Sequence, residues 1–89
     1  MKKSFIFLAD GFETIEALTP LDVMRRAGMP VQTVSITSNH IVTSAQDVKV
    51  TADLIYDPTL FTDPLWLILP GGMPGATNLR NFAPLAGLL

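Results

Sequence analysis

Two glutamates and a glycine loop carry the chemistry that this sequence can offer. Glu13 and Glu16 follow the turn Ala9-Asp10-Gly11. A second loop, Pro70-Gly71-Gly72-Met73-Pro74-Gly75, follows the apolar run Leu65-Trp66-Leu67-Ile68-Leu69. A carboxyl group set against a reacting centre can move a proton. Glycines let backbone N–H groups approach a developing anion, because no Cβ stands in the way. Together they read as the front half of a nucleophile site. The nucleophile itself is the missing partner, since the chain contains no cysteine. Each feature also has a plainer meaning. Glu13 and Glu16 could be solvated carboxylates in a first helical turn, favoured there by the helix dipole. Gly71 and Gly72 could form a simple turn, or cradle a phosphate. The chain has neither a full dinucleotide fingerprint nor a P-loop lysine to support the last reading.

The elements that must position these residues follow from hydrophobic patterning. Ser4 to Ala9 is an apolar run of strand length, suited to a strand covered on both faces. Glu13 to Ala27 reads as helix, with Ala17, Leu18, Leu21, Met24 and Gly28 at helical spacing. Pro20 is awkward inside it, having no N–H to donate. The expectation is a kink near Pro20, or a short turn and a fresh helix capped at Thr19. Gly28 is the natural stop. Val31 to Ile36 alternates as a strand, and Ile41 to Thr43 with Val48 to Thr51 form a surface hairpin. Asp57-Pro58 and Asp63-Pro64 punctuate a loop or short helix. A strand apolar on both faces ends at Leu69, helix follows over Thr77 to Arg80, and another begins within Asn81 to Leu89. This alternation predicts an α/β layer with parallel strands, doubly wound.

At 89 residues the chain suits one domain, 1–89, with a modest core. Apolar residues make up 48% and charged residues 16%, too apolar for a disordered tail. A net charge of −2 gives no electrostatic reason to expect nucleic acid or an anionic membrane as partner. The apolar runs fall far short of the roughly 20 residues of a spanning helix. The opening Met1 to Leu8 has the look of a weak signal peptide, but Asp10 and Glu13 interrupt it. It is read as the first strand of a soluble, cytoplasmic protein. No cysteine means no disulfide and no thiolate metal site within the chain, and no metal is expected. Ala83 to Leu89 stops in mid-helix without a cap, which suggests a fragment, or a sheet completed by another chain.

Three stretches in order carry a specific resemblance: Ala9-Asp10-Gly11-Phe12-Glu13-Thr14-Ile15-Glu16, then Pro20-Leu21-Asp22-Val23-Met24-Arg25-Arg26-Ala27-Gly28, then Leu69 to Ala76. The chain resembles the N-terminal half of the ThiJ/PfpI superfamily, in the branch of the Parkinson-disease protein deglycase. The resemblance implies a flavodoxin-like fold of the class I glutamine-amidotransferase type, incomplete in this chain. It implies that a cysteine on a strand-to-helix elbow, and a site histidine, lie beyond these residues. It assigns the catalytic carboxyl to Glu16 and the anion pocket to Gly71 and Gly72. A carboxyl sharing dry surroundings with a thiolate keeps its proton, because neighbouring anions repel. It can then donate to the thiolate or pass the proton to substrate. Arg26 is implied to lie near a dimer interface and the neighbouring site. A second basic residue found in some members is here Gln46, which weakens anion binding across that interface. His40, Met24 and Leu21 have turn or packing roles.

The activity implied is a cofactor-independent glyoxalase or deglycase attacking α-oxoaldehydes, in a homodimer formed through the first helix and the hairpin. A second chain supplying the C-terminal half is the other partner expected. The alternatives are a non-catalytic stress-response or chaperone-like protein, a truncated product, or a phosphate- or flavin-binding flavodoxin-like domain. Glu16 facing the glycine loop would favour the enzyme.

Overall fold

A computed structural model describes residues 2–89 of the chain. Four parallel strands form one sheet in the order β5-β2-β1-β6. They are β1 (Ser4–Leu8), β2 (Val31–Ser35), β5 (Leu54–Ile55) and β6 (Leu67–Ile68). Two further strands, β3 (Ile41–Thr43) and β4 (Lys49–Thr51), pair antiparallel as a separate hairpin. The helices are α1 (Thr14–Arg26), α2 (Gly75–Arg80) and α3 (Ala83–Leu88), with a 3-10 turn at Pro58–Leu60. The chain is therefore mixed α/β with a parallel sheet, as its patterning predicts.

β1 is central and wholly buried, which is why its sequence is an unbroken apolar run. Its side chains alternate between two cores. Phe5, Phe7 and Ala9 join Val34, Phe61, Leu79 and Leu85 on the face covered by α2 and α3. Ile6 and Leu8 join Phe12, Ala17, Val31 and Val42 beneath α1 and the hairpin. Full burial of a side chain such as Phe7 or Ile6 contributes about 1.5–3 kcal/mol. The rings of Phe5 and Phe61 meet edge-on at 4.9 Å, and Tyr56 packs on both Phe61 and Phe82. That aromatic cluster joins the 3-10 turn to the sheet.

α1 runs unbroken through Pro20, so the fresh helix start expected at Thr19 does not occur. The first turn is fixed instead by tertiary bonds at Glu13 and Thr14, five or more residues upstream. The helix ends as the sequence indicates. Gly28 takes φ +75°, its N–H donates to the Arg25 carbonyl, and the Met29 N–H donates to the Met24 carbonyl. This is the double bond of a Schellman cap.

One further expectation needs correction. The run Leu65 to Leu69 contains only a two-residue strand and is not buried on both faces. Leu65, Trp66 and Leu69 are exposed, because β6 pairs with β1 alone. β5 was not visible in the sequence: Leu54 and Ile55 pair with Val34 and Ser35 over too short a stretch to show alternation.

Candidate functional site

The carboxyl end of β1 is where the fold gathers its reactive groups. Strand order reverses there, with β2 on one side of β1 and β6 on the other, and open parallel sheets bind ligands at such a switch point. Asp10 and Gly11 leave the strand, Phe12 is fully buried as an anchor, and α1 begins at Thr14. The Gly11 N–H donates to the Thr43 carbonyl at 2.8 Å, and the Thr43 N–H donates to Asp10 Oδ1 at 3.1 Å. Asn78 Nδ2 of α2 donates to the Asp10 carbonyl at 2.8 Å. The end of β1 is thus tied to the hairpin on one side and to α2 on the other.

The loop after β6 reaches the same place. The Gly71 N–H donates to Glu16 Oε1 at 2.7 Å, and the Glu13 N–H donates to the Gly71 carbonyl at 2.9 Å. Glu13 is the N-cap of α1 and Glu16 is the third residue of its first turn. In a capping box the carboxyl at that third position reaches back to the cap's own N–H. Here the Gly71 peptide stands between the two and satisfies both. A Cβ on Gly71 would lie 2.6 Å from Glu16 Oε1, so the contact requires glycine.

Gly72 is constrained differently. Its φ is +92°, and a Cβ there would lie 2.5 Å from the Glu13 backbone nitrogen. The Gly72 carbonyl accepts from the Ala76 N–H, and the Gly75 N–H donates to the Gly11 carbonyl. Among the described residues, no protein acceptor takes the Gly72 N–H. The loop therefore divides its two glycines: one N–H holds Glu16, the other stays available. Glu16 itself is exposed at the sheet's edge. Beside it an open apolar groove of about 420 Å³ runs along Leu69, Pro70, Gly71, Leu79, Leu85 and Leu89.

Glu13, expected to be an ordinary helix-start carboxylate, makes no side-chain cap and accepts from Gln46 Nε2 at 3.1 Å. Arg26 is not brought to the site. Its Nε donates to Asp22 Oδ1 at 2.8 Å in an exposed pair one turn apart. It stands ten residues after Glu16, about 15 Å along the helix axis. Arg25 bridges to Asp53 at 2.8 Å and to the Val31 carbonyl, closing the far end of the sheet. His40 faces the Ala52 carbonyl, away from Glu16 in the hydrogen-bond network. Asn78 was not marked by the sequence, and Gln46 was marked only as the position of a family basic residue; their bonds to Asp10 and Glu13 were hidden because these partners lie 68 and 33 residues away. No group of three or more His, Cys, Asp or Glu suited to a metal occurs among the described residues. No helix among them is long and apolar enough to cross a membrane.

Comparison with known proteins bears on the family and the fold. Residues 2–88 match the DJ-1/PfpI family. Protein DJ-1 homolog B of Arabidopsis thaliana is 36% identical over 94% of this chain and 19% of its own length. The Parkinson disease protein 7 homolog of Danio rerio is 34% identical over 90% of this chain and 43% of its own. Oxidised DJ-1 of Toxoplasma gondii superposes with a TM-score of 0.86 at 32% identity, over 99% of this chain and 48% of that one. A cysteine-to-alanine mutant of a DJ-1 superfamily protein from Salmonella typhimurium gives 0.82 at 31%, over 99% and 49%. The chain belongs to the DJ-1/PfpI family. It spans less than half the length of these relatives, matching their N-terminal portion as the sequence suggested.

Proposed function

Starting from membership of the DJ-1/PfpI family, we propose that this chain contributes the carboxyl-and-amide side of a thiol-dependent site. Its substrate is a small reactive carbonyl, an α-oxoaldehyde, and the cysteine comes from residues outside this sequence. The observation that carries the reading is the bond from the Gly71 N–H to Glu16 Oε1, which fixes the carboxyl against the glycine loop. The thiolate adds to the aldehyde carbon. The C–S bond forms as the carbonyl electron pair moves to oxygen, and the Gly72 N–H stabilises that oxyanion. Glu16 supplies the proton that completes the hemithioacetal. Hydration of the α-oxoaldehyde to a 2-hydroxy acid then balances internally, one carbon being oxidised as its neighbour is reduced. No added cofactor is required. Deglycation of a hemiaminal adduct also breaks its C–N bond: the amine leaves with a proton, and water completes the same 2-hydroxy acid.

The exposed Ile15, Val23 and Ile41 support a second copy of this chain as partner through α1 and the hairpin. A non-catalytic, chaperone-like or stress-response role is the second reading, favoured by the lack of any cysteine. A phosphate- or flavin-binding role has less support. α2 spans only six residues and offers little aligned dipole to a phosphate.

The test is intact and native mass of the protein purified from its source, followed by an assay of methylglyoxal consumption. The expected result is a cysteine-bearing polypeptide in the same assembly, with turnover lowered roughly 100-fold or more by Glu16→Ala. Turnover that survives Glu16→Ala unchanged overturns the catalytic role. A lone 9.6 kDa species leaves the second reading in place.

A further inference from the structure

The first turn of α1 carries Glu16, yet its N-cap residue Glu13 supplies no side-chain cap. The four leading N–H groups of a helix need acceptors from elsewhere. The hairpin provides one. Gln46 Oε1 accepts from the Thr14 N–H at 3.1 Å and from Thr14 Oγ1 at 2.8 Å. Gln46 Nε2 donates to Glu13 Oε2 at 3.1 Å. One amide thus satisfies the first helical N–H and restrains the cap residue's carboxylate.

The turn that carries Gln46 is itself fixed. Ser44 Oγ accepts from the Gln46 and Val48 N–H groups at 3.2 and 3.1 Å, and it lies 2.6 Å from Thr14 Oγ1, to which it donates because the single Thr14 hydroxyl proton goes to Gln46 Oε1. The Ala45 N–H donates to the Phe12 carbonyl at 2.8 Å. The hairpin tip is therefore bolted to the segment between β1 and α1 at several points. Gln46 bonds Glu13 and Thr14, while Gly71 bonds Glu13 and Glu16. Both elements bond to the same helical turn.

We propose that Gln46 is a positioning residue for Glu16, acting as an external cap that holds the first turn of α1 in register with the Gly71 peptide. The inference rests on the reading of Glu16 and Gly71 as the site. It assigns a purpose to the hairpin tip that packing alone does not: two short strands pinned across the mouth of the site fix the angle at which α1 starts. A glutamine suits the task because it presents one acceptor and one donor on the same planar group.

Amide hydrogen exchange measured by NMR tests it. Gln46→Met keeps the bulk and removes all three side-chain bonds. Exchange at Thr14 and at Gly71 is expected to quicken about tenfold or more, with Phe7 and Val34 in the central strands unchanged. Gln46→Glu keeps an acceptor for the Thr14 N–H but sets a second carboxylate against Glu13, so Thr14 exchange should fall between that of Gln46→Met and the parent. A loss of stability alone would quicken the central amides as well, and that result overturns the proposal. So does a Gly71 amide indifferent to Gln46→Met. Glu16→Ala in the parent serves as the separate control. If it leaves Gly71 exchange unchanged, the Glu16–Gly71 reading falls, whatever Gln46→Met does at Thr14.

Discussion

Pro20 stands one helical step of four residues after Glu16, where it cannot supply the N–H that the Glu16 carbonyl would otherwise accept. The catalytic candidate therefore sits at a loosened point of α1. An interior proline costs a helix about 3 kcal/mol. It also restricts the unfolded chain, which offsets part of that cost. Pro20→Ala is expected to raise stability by about 1–2 kcal/mol net, read from the midpoint of urea unfolding. A fall in stability would show that the fold needs the proline for packing.

The two loop glycines should fail differently. Gly71→Ala puts a methyl group against the Glu16 carboxylate, a side-chain end that can swing aside. Folding should survive, while carbonyl turnover in the assembled protein drops about 100-fold as the carboxyl is misplaced. Gly72→Ala meets backbone at Glu13 and demands φ +92° of an alanine. That change should cost about 1–3 kcal/mol of stability or more. Thermal unfolding of the pair separates the two cases. Equal destabilisation would refute the division of roles.

Ser4 Oγ is fully buried and has no hydrogen-bond partner among the described residues. An unpaired buried hydroxyl is unfavourable, and Ser4→Ala removes it at the expense of one small void. The variant is expected to be more stable by about 1 kcal/mol. A calorimetric melting temperature below the parent's would mean that the hydroxyl is satisfied in solution.

Asp57 titrates below the ordinary carboxylate range, held down first by the Thr59 backbone N–H and then by the Thr59 hydroxyl. Because the folded group is the stronger acid, its contribution to stability is complete above the unfolded carboxylate's range. It is lost as pH falls through the folded value. Thr59→Ala removes only the smaller cause. Carbon-13 titration should then show Asp57 moving part of the way back. Full reversion would assign the whole effect to the hydroxyl.

Much of this arrangement was legible in advance. β1 announced itself because a strand buried on both faces must be apolar throughout, and α1 because its core positions recur at helical spacing. Gly28 and the hairpin were readable from local turn chemistry. Glu16 and the glycine loop were recognisable as types, and their juxtaposition was expected from resemblance. What stayed hidden were contacts with no local signature. The two-residue β5 and the Gln46 and Asn78 bonds depend on segments brought together only by the sheet. The exposure of Trp66 was hidden for a related reason: an apolar run does not reveal how many neighbours its strand will have.

The strand order also dictates a sequence of events in time. β1 is made before either partner, yet it lies between β2 and β6. Its apolar residues must wait until Leu67 and Ile68 have left the ribosome before both of its edges are paired. Non-local pairing of this kind is slow and leaves sticky backbone exposed meanwhile. The Glu16–Gly71 bond, formed across the same long separation, is therefore a late event in biosynthesis. A stalled nascent chain released before Pro70 would carry α1 but could not dock Glu16, so arrest at that point separates helix formation from site assembly.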